Sequence, residues 1–127
     1  MAFKFLGYCH IIALILHRSL GLKICVFYGY RKDTKERVLV HAGVVLGKRF
    51  IDELGVWDDE LEDVLDYFKY QNQPYDSLRY YLVSEKDLKW RAILKRTGAT
   101  RVSYFRFLEI KSWIRRDLIP HLKKQGV

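Results

Sequence analysis

The chain predicts an α+β fold, in which an N-terminal helix carrying a cysteine packs on a small antiparallel sheet and a helix-rich C-terminal part follows. Three observations lead there. The run Ile11–Leu16 is apolar on every side, as in a helix at the centre of a molecule. Two strand-like runs, 38–46 and 49–54, meet at Gly47-Lys48. Beyond Ser84 the pattern is helical, with strong start and stop signals. A length of 127 residues suits a single domain, with helix and hairpin in 1–55 and a helical elaboration in 56–127.

The first helix starts near Tyr8 or Cys9, after Gly7, and stops at Gly21, which accepts the left-handed conformation that closes helices. Lys23 to Tyr30 is rich in β-branched and aromatic residues and reads as a buried strand. Arg31 to Arg37 is a charged turn. In the hairpin that follows, Gly47 suits the first central position of a two-residue turn. Asp58 is placed to cap a helix over 59–70, whose Leu61, Val64, Leu65 and Phe68 form one stripe. Residues 71–76, with Pro74, read as loop, and 78–83 as a short strand. Ser84-Glu85-Lys86-Asp87 opens a helix to about Arg96, closed at Gly98. Thr100 or Ser103 opens a last helix to about Lys124, which Pro120 should bend or fray.

With two prolines and no Ser/Gly-rich run, composition marks neither a linker nor a disordered arm. The net charge is +8, and it is unevenly spread. Residues 1–50 hold nine Lys/Arg against two acids, 51–88 three against eleven, and 89–127 eleven against two. Such a balance favours acidic partners, a nucleic acid or an acidic protein, unless the acidic middle packs beside the basic ends. Two cysteines make no disulfide framework, so unbridged thiols and a cytoplasmic setting are expected. The start resembles a secretion signal only loosely, and six apolar residues are too few to cross a bilayer. No membrane partner is expected.

The chemistry lies in three residues. A cysteine works as a nucleophile when it is a thiolate, and a helix N-terminus favours that anion. Cys9 is placed there. An imidazole must sit beside it, and a third polar group must orient the imidazole. With Gly47-Lys48 as the loop, Leu46 faces Arg49, Gly43 faces Asp52 and His41 faces Leu54. His41 and Asp52 then share a sheet face as diagonal neighbours, roughly 7–8 Å apart at the backbone and within side-chain reach. A one-residue slip would put Asp52 on the other face.

These pieces resemble the transglutaminase-like and papain-like cysteine enzymes. Gly7-Tyr8-Cys9 opens the helix, and Gly21 to Tyr30 looks like the "G-L-x-(apolar)-x-x-x-x-G-Y" link that follows it there. Val40-His41-Ala42 resembles the "H-A" strand, and Phe50-Ile51-Asp52 the strand that bears the acid. Gly7, Cys9, His10, Ala13, Leu16, His17 and Arg18 also fit "G-x-C-H-x-x-A-x-x-L-H-R" of short bacterial and phage-borne proteins. The resemblance covers about residues 5 to 55 and implies a Cys9–His41–Asp52 triad acting on an amide or acyl substrate without a cofactor. Three departures stand out. Only eight residues precede Cys9, so Tyr8, His10 or the Cys9 N–H must serve as the oxyanion donor. Gly43 replaces the aromatic that often follows "H-A", which opens the site or leaves it incomplete. His10 stands where a bulky aromatic is frequent.

Other candidates have plainer readings. Cys25 reads as packing within a strand, His10 and His17 as structural or surface residues, and no metal-ligand spacing such as C-x-x-C or H-E-x-x-H occurs. Asp58-Asp59-Glu60-Glu62-Asp63-Asp66 reads as a solvated helix face. In the tail, Arg91 and Lys95 share one face, and Lys111 and Arg115 another, with Arg116 beside them and Trp90, Tyr104 and Trp113 between. Basic side chains with aromatics suit nucleic-acid binding, although such aromatics more often fill a core. Two functions follow: a cysteine hydrolase or acyltransferase, and a non-catalytic basic interaction or inhibitor protein.

Overall fold

Because α1 (Cys9–Leu20) is wedged between a sheet and a C-terminal helix, it needs apolar residues all round. The computed structural model describes residue 5 and residues 7–71, 75–88 and 103–127. The order continues with β1 (Lys23–Arg31), β2 (Arg37–Leu46), β3 (Arg49–Asp52), β4 (Gly55–Glu60), α2 (Leu61–Gln71) and β5 (Tyr75–Val83). A helical turn at 85–88 follows. The last helix comprises α3 (Tyr104–Trp113), a π turn over Ile114–Leu118 and α4 (Ile119–Lys124). The five strands run antiparallel in the order β4-β3-β2-β1-β5. The fold is α+β.

Three clusters hold these layers together. Ile11, Ile12, Ile15 and Leu16 of α1 meet Ile110, Ile114, Leu118 and Leu122 of the last helix. Ala13 and Leu14 meet Ile24, Val26 and Tyr28 of β1 and Leu39 and Ala42 of β2. On the other face of the sheet, Cys25, Phe27, Val45 and Phe50 pack against Leu61, Val64, Leu65 and Phe68 of α2. Burying a large apolar side chain contributes about 1.5–3 kcal/mol. The last helix therefore adds a second apolar wall to α1, whose main packing partner is the sheet.

Several boundaries match the sequence reading. Gly21 closes α1 with φ +70, and its N–H donates to the His17 carbonyl. Gly47 sits at φ +63 in the hairpin, where Leu46 pairs with Arg49 as counted. Ser103 caps α3, its Oγ accepting from the Arg106 N–H at 3.1 Å.

Others differ. Asp58 does not cap a helix; Asp58, Asp59 and Glu60 end β4, and α2 starts at Leu61. The reason is the turn at Gly55, whose φ of +104 folds the chain back so that Val56 pairs with Ile51. Three acids on an edge strand also discourage pairing with another chain. Residues 56–127 thus add both edge strands of the sheet as well as helices, and β5 begins at Tyr75, within the expected loop. Pro120 frays nothing. Helical residues continue through it, and the π turn lies just before it, where the Ile119 N–H reaches back to the Ile114 carbonyl. Proline has no N–H and its ring crowds the carbonyl four residues earlier, so a widened turn relieves the conflict. The same turn serves packing. A stripe spaced by four residues drifts about 40° per step on a regular helix, and one extra residue in the turn takes that drift back. The expected helix from Ser84 to Arg96 lies outside the described residues beyond 88, as do Pro74 and the Gly98 turn.

Candidate active site

The path to the site starts at Gly7, whose φ of +91 turns the chain just before α1. The Tyr8 N–H donates to the Phe5 carbonyl at 3.0 Å, and the Tyr8 carbonyl accepts from Ile11 and Ile12 at 3.0 and 3.1 Å. Cys9 and His10 therefore stand at the first two positions of the helix, where backbone N–H groups have no acceptor within the helix. Glu53 fixes this lead-in, its buried Oε1 accepting from the Phe5 N–H at 2.5 Å. From the last helix, Arg106 lies over the rings of Phe5 and Tyr8 at 4.8 and 5.3 Å, and Trp113 meets Phe5 edge-on at 5.3 Å.

His41 comes from β2 at an irregularity. Phe27 pairs with His41 while Tyr28 pairs with Leu39, which leaves Val40 as the extra residue of a bulge. A bulge bends its strand and re-aims the neighbouring side chain. His41 Nε2 lies 2.8 Å from Asp52 Oδ2, and Asp52 Oδ1 accepts from the Leu54 N–H at 2.9 Å. Asp52 thus orients the imidazole and closes the β3–β4 turn at once. Both groups are buried, at 6% and 1% exposure. Phe68 of α2 stacks on the imidazole at 4.5 Å and 22°, with Phe50 and Phe27 at 5.8 and 6.2 Å.

Cys9, half-buried, is the second hydrogen-bond partner of His41. Since Asp52 holds Nε2, Nδ1 is the ring nitrogen left for the sulfur. Burial works against a charged imidazole, but the hydrogen bonds and negative charge of Asp52 and Cys9 outweigh it and raise the His41 pKa to about 9. The arrangement therefore favours the protonated imidazole, with Asp52 on one ring nitrogen and Cys9 on the other. Cys25 shows the opposite environment: fully enclosed in β1, its thiol is pushed up to about 12 by burial alone.

The remaining candidates separate. Tyr8 turns its ring towards Arg106. His10 is buried at 5% exposure, and its Nδ1 has no hydrogen-bond partner among the described residues; one position after Cys9, it points about 100° away around the helix. Gly43 does not open the site. A Cβ there would lie 2.4 Å from the Ile51 carbonyl oxygen and 2.5 Å from Phe50 Cζ, so the Phe50 ring fills that space. Lys111, Arg115 and Arg116 stand on the last helix, the two arginines exposed, whereas Arg91, Lys95 and Trp90 lie outside the described residues. Of the tail aromatics expected to fill the core, Trp113 is half-buried but Tyr104 is 72% exposed.

Sequence reasoning did not reach Phe68, Glu53 or Arg106. Phe68 was visible only as one member of an apolar stripe. Glu53 carried one signal: a carboxylate directly after Asp52 at the end of an apolar strand.

No family model, curated protein or solved structure matches the chain. Among the described residues, no helix is long and apolar enough to cross a membrane.

Proposed function

We propose that the protein is a cysteine-dependent hydrolase or acyltransferase, related to the transglutaminase-like and papain-like enzymes, that acts on an amide or acyl substrate in the cytoplasm. The observation that carries this reading is the buried 2.8 Å contact between His41 and Asp52, with Cys9 hydrogen-bonded to the same imidazole from a helix N-terminus. A thiol, a base and an orienting carboxylate in series are what nucleophilic acyl transfer requires.

In the proposed reaction the Cys9 thiolate forms a bond to the substrate carbonyl carbon. The oxyanion faces the N-terminal N–H groups of α1, where the helix end favours negative charge. The tetrahedral adduct collapses, the C–N or C–O bond breaks, and the His41 imidazolium gives its proton to the leaving group. Water or an amine then attacks the thioester and passes its proton to neutral His41, and the Cys9 thiolate departs. Asp52 keeps Nε2 engaged throughout, so Nδ1 carries each proton.

Labelling with iodoacetamide at pH 6 tests the activated thiol. Cys9 is expected to react at least about tenfold faster than glutathione, because a thiolate held beside imidazolium persists below the usual thiol range. A Cys9 rate equal to that of glutathione would reject the enzyme.

One observation favours the non-catalytic reading. Arg115 and Arg116 are exposed on the last helix, with Lys111 half-buried nearby. In that case reversing these charges abolishes binding to an acidic protein or nucleic acid, and Cys9→Ala is silent. Nucleic-acid binding on this face must weaken steeply with salt.

A further inference from the structure

The sheet carries a second polar feature close to Cys9. Arg37, at the start of β2, lays its guanidinium over the ring of Tyr28 at 4.2 Å and near that of Tyr81 at 5.2 Å. The two rings are themselves 6.0 Å apart. Cross-strand partners share a sheet face, and Tyr30 pairs with Arg37 while Tyr28 pairs with Arg79. Two arginines and three tyrosines therefore occupy one surface. Arg37 is half-buried and Arg79 exposed, while Tyr30 and Tyr81 are 43% and 42% exposed. Neither arginine has a carboxylate within ion-pair distance among the described residues.

What sets Arg37 apart is the stacking on two rings. Stacking fixes its plane and removes most of the rotamer freedom that binding would otherwise cost, yet uses the face of the group and none of its five N–H donors. The edge is left for a planar or tetrahedral oxyanion, which a guanidinium binds with two parallel hydrogen bonds. Lys32 and Lys35, by contrast, both lie near Asp76, at 3.9 Å.

The position relates the anion site to the thiol. Cys9 packs against the apolar cluster that contains Tyr28, Leu39 and Ala42. Tyr28 pairs with Leu39, two residues from His41 on β2. With a rise of about 3.3 Å per strand residue, the backbone of Leu39, whose partner Tyr28 carries the Arg37 guanidinium, lies about 7 Å along β2 from that of His41.

We propose that Arg37, held over the rings of Tyr28 and Tyr81 and assisted by Arg79, anchors a terminal carboxylate or phosphoryl anion of the substrate while its acyl carbon lies at Cys9. The inference rests on the acyl-transfer reading and narrows it. The substrate is an acyl compound with an anionic group several bonds from the carbonyl, which accounts for a use of positive charge that does not involve the C-terminal helix.

The test uses three alkylating probes of equal length: 6-(chloroacetamido)hexanoate, its neutral primary amide and the corresponding phosphonate. Each transfers its carbon to sulfur with loss of chloride, and mass spectrometry counts the adduct at Cys9. For the unaltered protein, an anionic probe is expected to label Cys9 at least about tenfold faster than the amide, with saturation, the size of one charge-assisted contact. The faster of carboxylate and phosphonate names the anion. In Arg37→Gln the ratio of acid to amide rates should fall to about one. Equal rates in the unaltered protein, or a ratio that survives Arg37→Gln, overturn the proposal. Should Arg37→Gln fail to fold, Arg37→Lys keeps the charge without the planar fork, and undiminished discrimination in it is equally fatal. Failure of the nucleophile is read separately, because Cys9→Ser can be titrated with 6-acetamidohexanoate and followed by NMR at the Arg37 side chain. A shift that saturates there supports the anion site whatever Cys9 does, and no shift rejects it.

Discussion

The molecule holds two cysteines in opposite surroundings, one at the mouth of α1 and one in the middle of β1. Cys9 is half-buried, at a helix N-terminus, and hydrogen-bonded to a charged imidazole. Cys25 has 0% exposure, lies among Phe27, Val45, Phe50 and Leu65, and has a pKa pushed up to about 12. On the proposed reading the same sulfur is a nucleophile in one setting, whereas in the other it is filling. What separates them is the arrangement of a helix end, a bulged strand and a hairpin, and each can be broken.

The largest effect is expected at Cys9 itself. Cys9→Ala removes the bond-forming atom, so turnover of an amide or ester substrate should fall by on the order of 10⁴-fold or more. Circular dichroism should stay unchanged. Residual activity within tenfold of the unaltered protein would mean that the reaction does not pass through this sulfur.

Asp52→Asn comes next. It leaves the shape of the turn but removes the charge that holds His41, and loss of such an orienting carboxylate lowers kcat by on the order of 10²–10⁴-fold. The pH dependence should move with it. In the unaltered protein the His41 pKa of about 9 lies above its free value of 6.5, so folding binds the proton. This contribution to stability is complete below pH 6.5, declines as pH rises, and is gone above about 9. Urea midpoints measured at pH 6, 7.5 and 9.5 should fall in that order. Activity should fall on the alkaline side near pH 9, as His41 loses the proton it must donate. Asp52→Asn should move both limbs to lower pH, and profiles that do not respond would separate Asp52 from the titration.

Gly43→Ala attacks the hairpin without touching any reacting group. The new Cβ meets backbone at the Ile51 carbonyl, which cannot swing aside as a side chain can, and the Phe50 ring as well. Overpacking of this kind destabilises by about 1–3 kcal/mol. Because Phe50 lies against His41 and Asp52 follows Ile51, His41 should also lose orientation, seen as a lower kcat at unchanged KM.

How far the sequence disclosed this site depends on the range of each contact. The His41–Asp52 pairing follows from counting outward from a two-residue turn, since a register is fixed once its turn and buried face are known. The helix ends at Gly21 and Ser103 were equally local. What stayed hidden depends on distant partners. Phe68 reaches His41 only because α2 crosses the far side of the sheet, and Glu53 meets Phe5 across 48 positions. The strand β4 was hidden for another reason. Its acids resemble a helix cap and first turn, and only pairing with β3 overrides that local preference.

Cys25→Ala gives the smallest effect and the sharpest control. The substitution removes one buried sulfur and leaves a space smaller than a leucine deletion, a loss of about 1 kcal/mol in unfolding free energy. Cys25 touches neither His41 nor Asp52 by hydrogen bond, so kcat and KM should stay as they were. Iodoacetamide at pH 6 should still modify one thiol at the same rate, and that thiol is Cys9. In the reverse experiment, Cys9→Ala leaves only Cys25, and labelling should be limited by unfolding, becoming faster with added urea. If Cys25 instead labels quickly in the folded Cys9→Ala protein, exposure and local charge at β1 are not as described. The contrast between the two cysteines would then lose its basis, because slow reaction at Cys25 follows from the same burial that holds the sheet together.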